Sequence, residues 1–168
     1  MPFVPFHEYF PEVAANETRG VFQPGPDGTL GEGVVFGELY CDEPGCDCRR
    51  VVFHVFAKGR LSEPLATLTF GWEPASFYRK WASFPLSAED LEELMGPALM
   101  RLTPQSPRAT EMLEHERTLL ADPVYVERLI RHYRMFREVV DGKAAAGPKP
   151  RAAVSGWRSP SRKHRPRK

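Results

Sequence analysis

Three stretches in the first half of the chain are short, apolar and rich in β-branched and aromatic residues: GEGVVFGELYC (31–41), RRVVFHVFAKG (49–59) and LATLTFGW (65–72). Glycine, proline and charged residues separate them, as they separate strands joined by tight connections. They predict an antiparallel meander. A weaker fourth strand is predicted before them at TRGVFQ (18–23), after which PGPDG closes a turn.

Beyond Trp72 the apolar residues recur at helical spacing. In EPASFYRKWASF, Pro74 falls in a first turn and Phe77 lies four residues before Trp81. SAEDLEELM begins with Ser87 and carries Asp90 three positions on, the pairing of a capping box, and it stops at Gly96-Pro97. SPRATEMLEHERTLLAD offers Ser106 as N-cap and Pro107 at the first helical position, with an inner side of Ala109, Met112, Leu113, Glu116 and Leu120. A last, long helix runs from the cap Asp122 through Pro123 to Gly142. Tyr125, Leu129, His132, Phe136 and Val139 repeat along its inner face at spacings of four, three, four and three. Arg128, Arg131, Arg134 and Arg137 spread over the rest and read as a solvated surface. The fold class is therefore α+β: a meander of three or four strands followed by about four helices.

Composition divides the chain. Its 168 residues suit a single domain with one core. The net charge of +1 hides an acidic body and a basic end: residues 1–142 carry 14 Lys and Arg against 22 Asp and Glu, a net −8, and residues 143–168 carry nine basic residues and no acid. The second segment is rich in Pro, Ser and Arg and nearly free of large apolar groups, so burial cannot offset the entropy of ordering it. It is predicted to be a disordered basic tail to a domain spanning 1–142. No run of about eighteen apolar residues suggests a membrane span, and MPFVPFHEYF lacks the basic start and cleavage site of a signal peptide. A cytoplasmic protein is expected.

The candidate chemistry lies in YCDEPGCDCRR (40–50), which holds all three cysteines of the chain. Glu43-Pro44-Gly45-Cys46 fits a type II turn that reverses the chain between Cys41 and Cys46. Residues two apart in an extended chain face the same side, so Cys46 and Cys48 point together and the turn brings Cys41 beside them. Clustered thiolates repel unless a cation sits between them, and soft sulfur ligands favour zinc, with iron as a competitor. The odd cysteine count and expected compartment disfavour a structural disulfide, and redox or regulatory thiols are the competing reading. A closed zinc site wants a fourth ligand. His132 is the choice, because its helix face must pack on the sheet; His7, Asp42, Asp47 or water are the alternatives, and His54 lies too far along its strand. Arg49 and Arg50 are placed to offset the negative charge of a zinc–thiolate centre.

The segments LYCDEPGCDCRRVVF, FGWEPASFYRKW, LTPQSPRATEML and DPVYVERLIRHYRMF resemble an uncharacterised bacterial family whose members often end in the small zinc motif also found at the C terminus of the SecA translocation ATPase. The similarity covers most of residues 3–140. It implies zinc bound through Cys41, Cys46 and Cys48 and supplies no catalytic residues. This chain departs from the family in having no cysteine after Cys48, so the second zinc motif is absent and the basic tail stands in its place.

The chain lacks HExxH, a phosphate-cradling glycine loop and GxSxG, so the reading leans away from an enzyme. It turns instead to a binding or adaptor protein with a structural zinc at a hairpin tip, an unidentified protein partner for the acidic body, and non-specific nucleic acid for the tail. The alternatives are a zinc-dependent hydrolase with an open metal position, for which Glu38 or Glu43 would be the nearby base, and a redox-sensing thiol protein.

Overall fold

The computed structural model describes residues 3–24 and 30–145. Twelve elements follow one another: β1 (Phe3–Pro5), α1 (Phe6–Tyr9), α2 (Pro11–Glu17), β2 (Arg19–Pro24), β3 (Leu30–Cys41), β4 (Arg50–Ala57), β5 (Ala66–Gly71), α3 (Ala75–Trp81), α4 (Ala88–Met95), β6 (Ala98–Leu99), α5 (Ala109–Leu120) and α6 (Pro123–Ala145). The class is α+β. The sheet is antiparallel throughout, and the expected meander is its centre, as β2, β3, β4 and β5.

The long strand β3 organises the rest. One edge pairs with β4; the other is shared end to end, with β2 on its first half (Arg19↔Phe36) and β1 on its last residues (Phe3↔Cys41, Pro5↔Leu39). Neither β1, β6 nor the short helices α1 and α2 was expected, since elements of two to seven residues are too short to show a period. The turn expected at PGPDG lies largely outside the described residues.

Local chemistry explains the helix ends. Ser87 and Asp90 form the predicted capping box: the Ser87 hydroxyl accepts from the Asp90 amide at 3.0 Å, and the Asp90 carboxylate accepts from the Ser87 amide at 3.0 Å. Gly96 ends α4 with φ +54°, and a side chain there would run into the Thr69 carbonyl. Asp122 caps α6 by accepting from the Val124 amide at 2.9 Å. Two boundaries differ from expectation. Ser106 does not cap α5; its hydroxyl accepts from the Arg108 amide at 3.2 Å in a local turn, and the helix starts two residues beyond Pro107. Nor does Gly142 end α6, which continues to Ala145. The basic segment from 146 onward lies outside the described residues.

Alternation along the strands puts Val34, Phe36, Tyr40, Val51, Phe53, Val55, Ala66 and Leu68 in the main core, where they meet Met112 from α5 and Tyr125, Leu129 and Phe136 from α6. The inner stripe of α6 drifts from the predicted one: Val140 is buried and Val139 only half-buried, while Tyr133 and Arg137 are buried as well. A smaller cluster of Tyr78, Leu91 and Leu94 joins α3 to α4.

One acid lies inside the core. Glu116 is 1% exposed, and neither carboxylate oxygen has a hydrogen-bond partner; the Tyr125 hydroxyl nearby is also unpartnered. Burial pushes the Glu116 carboxyl well above its ordinary 4.5, only partly opposed by Arg117. The folded state thus holds the proton more tightly than the unfolded chain. The contribution of Glu116 to stability is therefore greatest below the unfolded value and is lost as pH rises from there through the raised folded value. Glu116→Leu is expected to flatten that fall and to add about 1–3 kcal/mol at neutral pH, by removing an unsatisfied polar group from the core. Urea unfolding across the acid-to-neutral range checks it; lower stability at neutral pH would contradict it.

Candidate metal centre

Cys41 ends β3, and Cys46 and Cys48 lie in the loop that leads to β4. The Cys46 amide donates to the Glu43 carbonyl at 3.2 Å, closing the predicted turn, and Gly45 stands at φ +73°, the left-handed conformation that its third position requires. The three Sγ atoms lie within 4.8 Å of one another and none is in a disulfide. That is close enough to coordinate a metal ion. Cys41 and Cys48 are fully buried, whereas half-buried Cys46 lines a surface cavity of about 450 Å³ together with Tyr133 and Arg137 of α6.

The loop is held from the side by α6. Arg137 is 8% exposed; its guanidinium donates to the carbonyls of Cys41 (2.8 Å) and Glu43 (3.0 Å) and pairs with Asp141 one turn on. Asp141 in turn accepts from the Gly45 amide at 2.9 Å, and the Tyr133 hydroxyl donates to Asp47 at 3.4 Å. Tyr133, Arg137 and Asp141 are spaced four residues apart, so they form one stripe of the helix. Reading the arginines of α6 as a solvated surface is therefore wrong for Arg137. That stripe was the available signal.

The thiols share their protons unequally. Hydrogen bonding from Cys48 holds the Cys41 thiol down to about 6, aided by the Glu43 amide and the Arg137 charge. Burial pushes Cys46 up, and Cys48, whose hydrogen bond to Cys41 keeps its proton in place, is pushed far up. One thiolate is thus shared by two thiols, and a divalent cation would displace the remaining protons.

His132, chosen from the sequence as fourth ligand, is not brought to the sulfurs. It is 1% exposed and stacks on Phe6 at 4.3 Å; Nδ1 lies 2.7 Å from a Glu38 oxygen and Nε2 3.2 Å from a Glu17 oxygen. Among the described residues the only group gathered closely enough to hold a metal is the cysteine trio. The reason is rotational: His132 precedes Tyr133 by one residue, about 100° around the helix, so it faces α1 and the middle of β3 while the Tyr133 stripe faces the loop. Glu38, named as a possible base, is committed to His132 and to the Tyr40 hydroxyl, which donates to it at 2.8 Å. Of the two arginines beside the cysteines, only Arg50 acts on their charge as expected. Arg49, at φ +44°, spends its guanidinium on Asp47 and Glu73, and Arg50 acts on Cys48 through its charge alone.

The fold and site therefore define an α+β protein with a three-cysteine cluster, two of its members buried, at a hairpin tip. Comparison of the chain with family models, curated proteins and solved structures returns no match.

Proposed function

We propose that this chain is a zinc-binding protein of the adaptor type, in which the metal locks the β3–β4 hairpin against α6 and the acidic body presents a surface to a protein partner. The observation that carries it is the convergence of three sulfurs, two of them fully buried, within 4.8 Å. Tetrahedral zinc at about 2.3 Å from each sulfur sets sulfurs roughly 3.8 Å apart, so the trio needs to close by no more than about 1 Å. A soft, tetrahedral ion suits an all-thiolate set better than calcium or magnesium. The fourth position falls to water, to Asp42, one of whose carboxylate oxygens is buried without a partner, or to a partner's side chain. The resemblance of the cysteine motif to the bacterial family described above supports the same reading, and so does a cytoplasmic setting, which keeps thiols reduced. Elemental analysis of the purified protein is expected to find about one zinc per chain. Stoichiometric metal in a variant with serine at 41, 46 and 48 would overturn the proposal.

A second reading, thiol redox sensing, is favoured by Cys46, half-buried beside a cavity while its neighbours are fully buried. In that case the protein purifies without metal, and hydrogen peroxide takes two electrons and two protons from Cys41 and Cys46 to form their disulfide and water.

The nine basic residues of 143–168 support a further partner class, nucleic acid bound without sequence preference. Binding by the full chain is expected to weaken with salt, at a log–log slope of about −0.9 for each phosphate neutralised on duplex DNA. A version ending at Ala145, which keeps only Lys143 of the nine, is expected to lose that binding. Equal binding by both, or none by either at low salt, would remove this partner.

A further inference from the structure

We propose that the cavity beneath α3 and α4 is a binding site for a small carboxylate with an aromatic or branched apolar body. The inference rests on Arg50, whose charge also acts on Cys48. Arg50 opens β4, and alternation turns it to the face opposite Val51, Phe53 and Val55, towards α3 and α4. It is 8% exposed, and Nε is buried without a hydrogen-bond partner. Among the described residues it enters no ion pair, and its guanidinium lies over the Phe3 ring at 5.0 Å. Burying a cation with one of its donor nitrogens left unpartnered is costly, by several kcal/mol per ion. Here the cost is borne at the wall of a cavity of about 200 Å³, room for roughly six waters at about 30 Å³ each.

The rest of the cavity says what would fit. Trp81, Leu86 and Leu94 supply apolar walls, and Phe84 stands beside them 62% exposed, a large aromatic left open to solvent. The acids at the rim are already satisfied: Arg101 donates to Glu89 (2.8 Å), Asp90 (2.7 Å) and Glu93 (2.8 Å), one from each of its three nitrogens. The single charge of Arg101 offsets only one of these acids, but its guanidinium is fully engaged by them, and Arg50 is the cation at the cavity whose Nε has no hydrogen-bond partner. A carboxylate matches a guanidinium in a two-pronged hydrogen bond, and a single negative charge suits a rim with two carboxylates better than a phosphate dianion would. Sites of this build, mostly apolar with one fixing charge, are the usual form of small-ligand pockets.

The test uses the full-length, metal-loaded protein with 3-phenylpropionate and its neutral analogue 3-phenylpropionamide, followed by calorimetry and tryptophan fluorescence. The acid is expected to bind saturably and at least about tenfold more tightly than the amide, the equivalent of one charged hydrogen-bonding contact. Arg50→Gln is expected to erase that preference, and Leu86→Trp, which fills the cavity and leaves the charge in place, to abolish binding of both probes. Equal affinity for acid and amide, no saturable binding, or binding indifferent to Leu86→Trp overturns the proposal. Metal loss in Arg50→Gln, together with absence of ligand binding by the parent protein, would instead assign Arg50 as the counter-charge of the cysteine cluster. Should Arg50→Gln fail to fold, the acid–amide comparison and Leu86→Trp still decide.

Discussion

Cys48→Ser is expected to release the metal and to lower stability in zinc-containing buffer by about 4 kcal/mol or more, the class of loss seen when a metal leaves a fold. Cys48 is fully buried and donates to Cys41, so its removal takes away both a proposed metal ligand and the group that stabilises the Cys41 thiolate. Structural zinc contributes roughly 10 kcal/mol or more to domains that have little else. Here β2 to β5 and the helices bury a separate core, so the effect is smaller and the variant is expected to remain folded. Thermal unfolding with and without a chelator measures it. The parent protein should fall to the level of the variant when zinc is stripped, and the variant should not respond. A variant that still carries one metal, or a loss of the same size in chelator, would show that the thiol acts only through packing.

Arg137→Ala is expected to cost about 2–4 kcal/mol and to weaken metal binding about 10- to 100-fold, without any ligand having been changed. The guanidinium satisfies the Cys41 and Glu43 carbonyls and pairs with Asp141, which itself holds the Gly45 amide; one substitution takes the guanidinium away from both carbonyls and from Asp141 at once. Arg137→Lys should restore less than half of the loss, because an ammonium cannot reproduce the forked geometry that reaches two carbonyls at once. Arg134→Ala, exposed on the same helix, is the control and should stay within about 0.5 kcal/mol of the parent. Competition for zinc with a chromophoric chelator gives the affinity. Unchanged affinity in Arg137→Ala would confine this residue to general stability.

The central strands were legible because each buries a row of alternating residues between turn residues. The stretches 31–41, 49–59 and 65–72 became Leu30–Cys41, Arg50–Ala57 and Ala66–Gly71. The cysteine cluster was legible for a related reason: its convergence depends on one turn and two-residue alternation, both local. The two errors that bear most on the site are of one kind. Spacing shows which residues share a helix face but not what that face meets, so His132 was sent to the sulfurs when it meets Glu38, and Arg137 was sent to solvent when it meets the cysteine loop. The strands β1 and β6 form by pairing with distant partners, and no local signal in three or two residues announces that.

The separation between local ligands and a distant clamp has a kinetic meaning. All three sulfurs lie within eight positions of the chain, so a loop shorter than one that closes in about 10–100 ns is enough to gather them. The guanidinium that holds the loop lies 96 residues from Cys41 in sequence. During synthesis all three thiols are available once residue 48 has emerged, while β1 has nothing to pair with until residues 39–41 are extended and the hairpin lacks its Arg137 anchor until residue 137 arrives. On the proposed zinc reading, capture of the ion can thus precede the fold that encloses it, leaving the last helix to close over a hairpin already shaped.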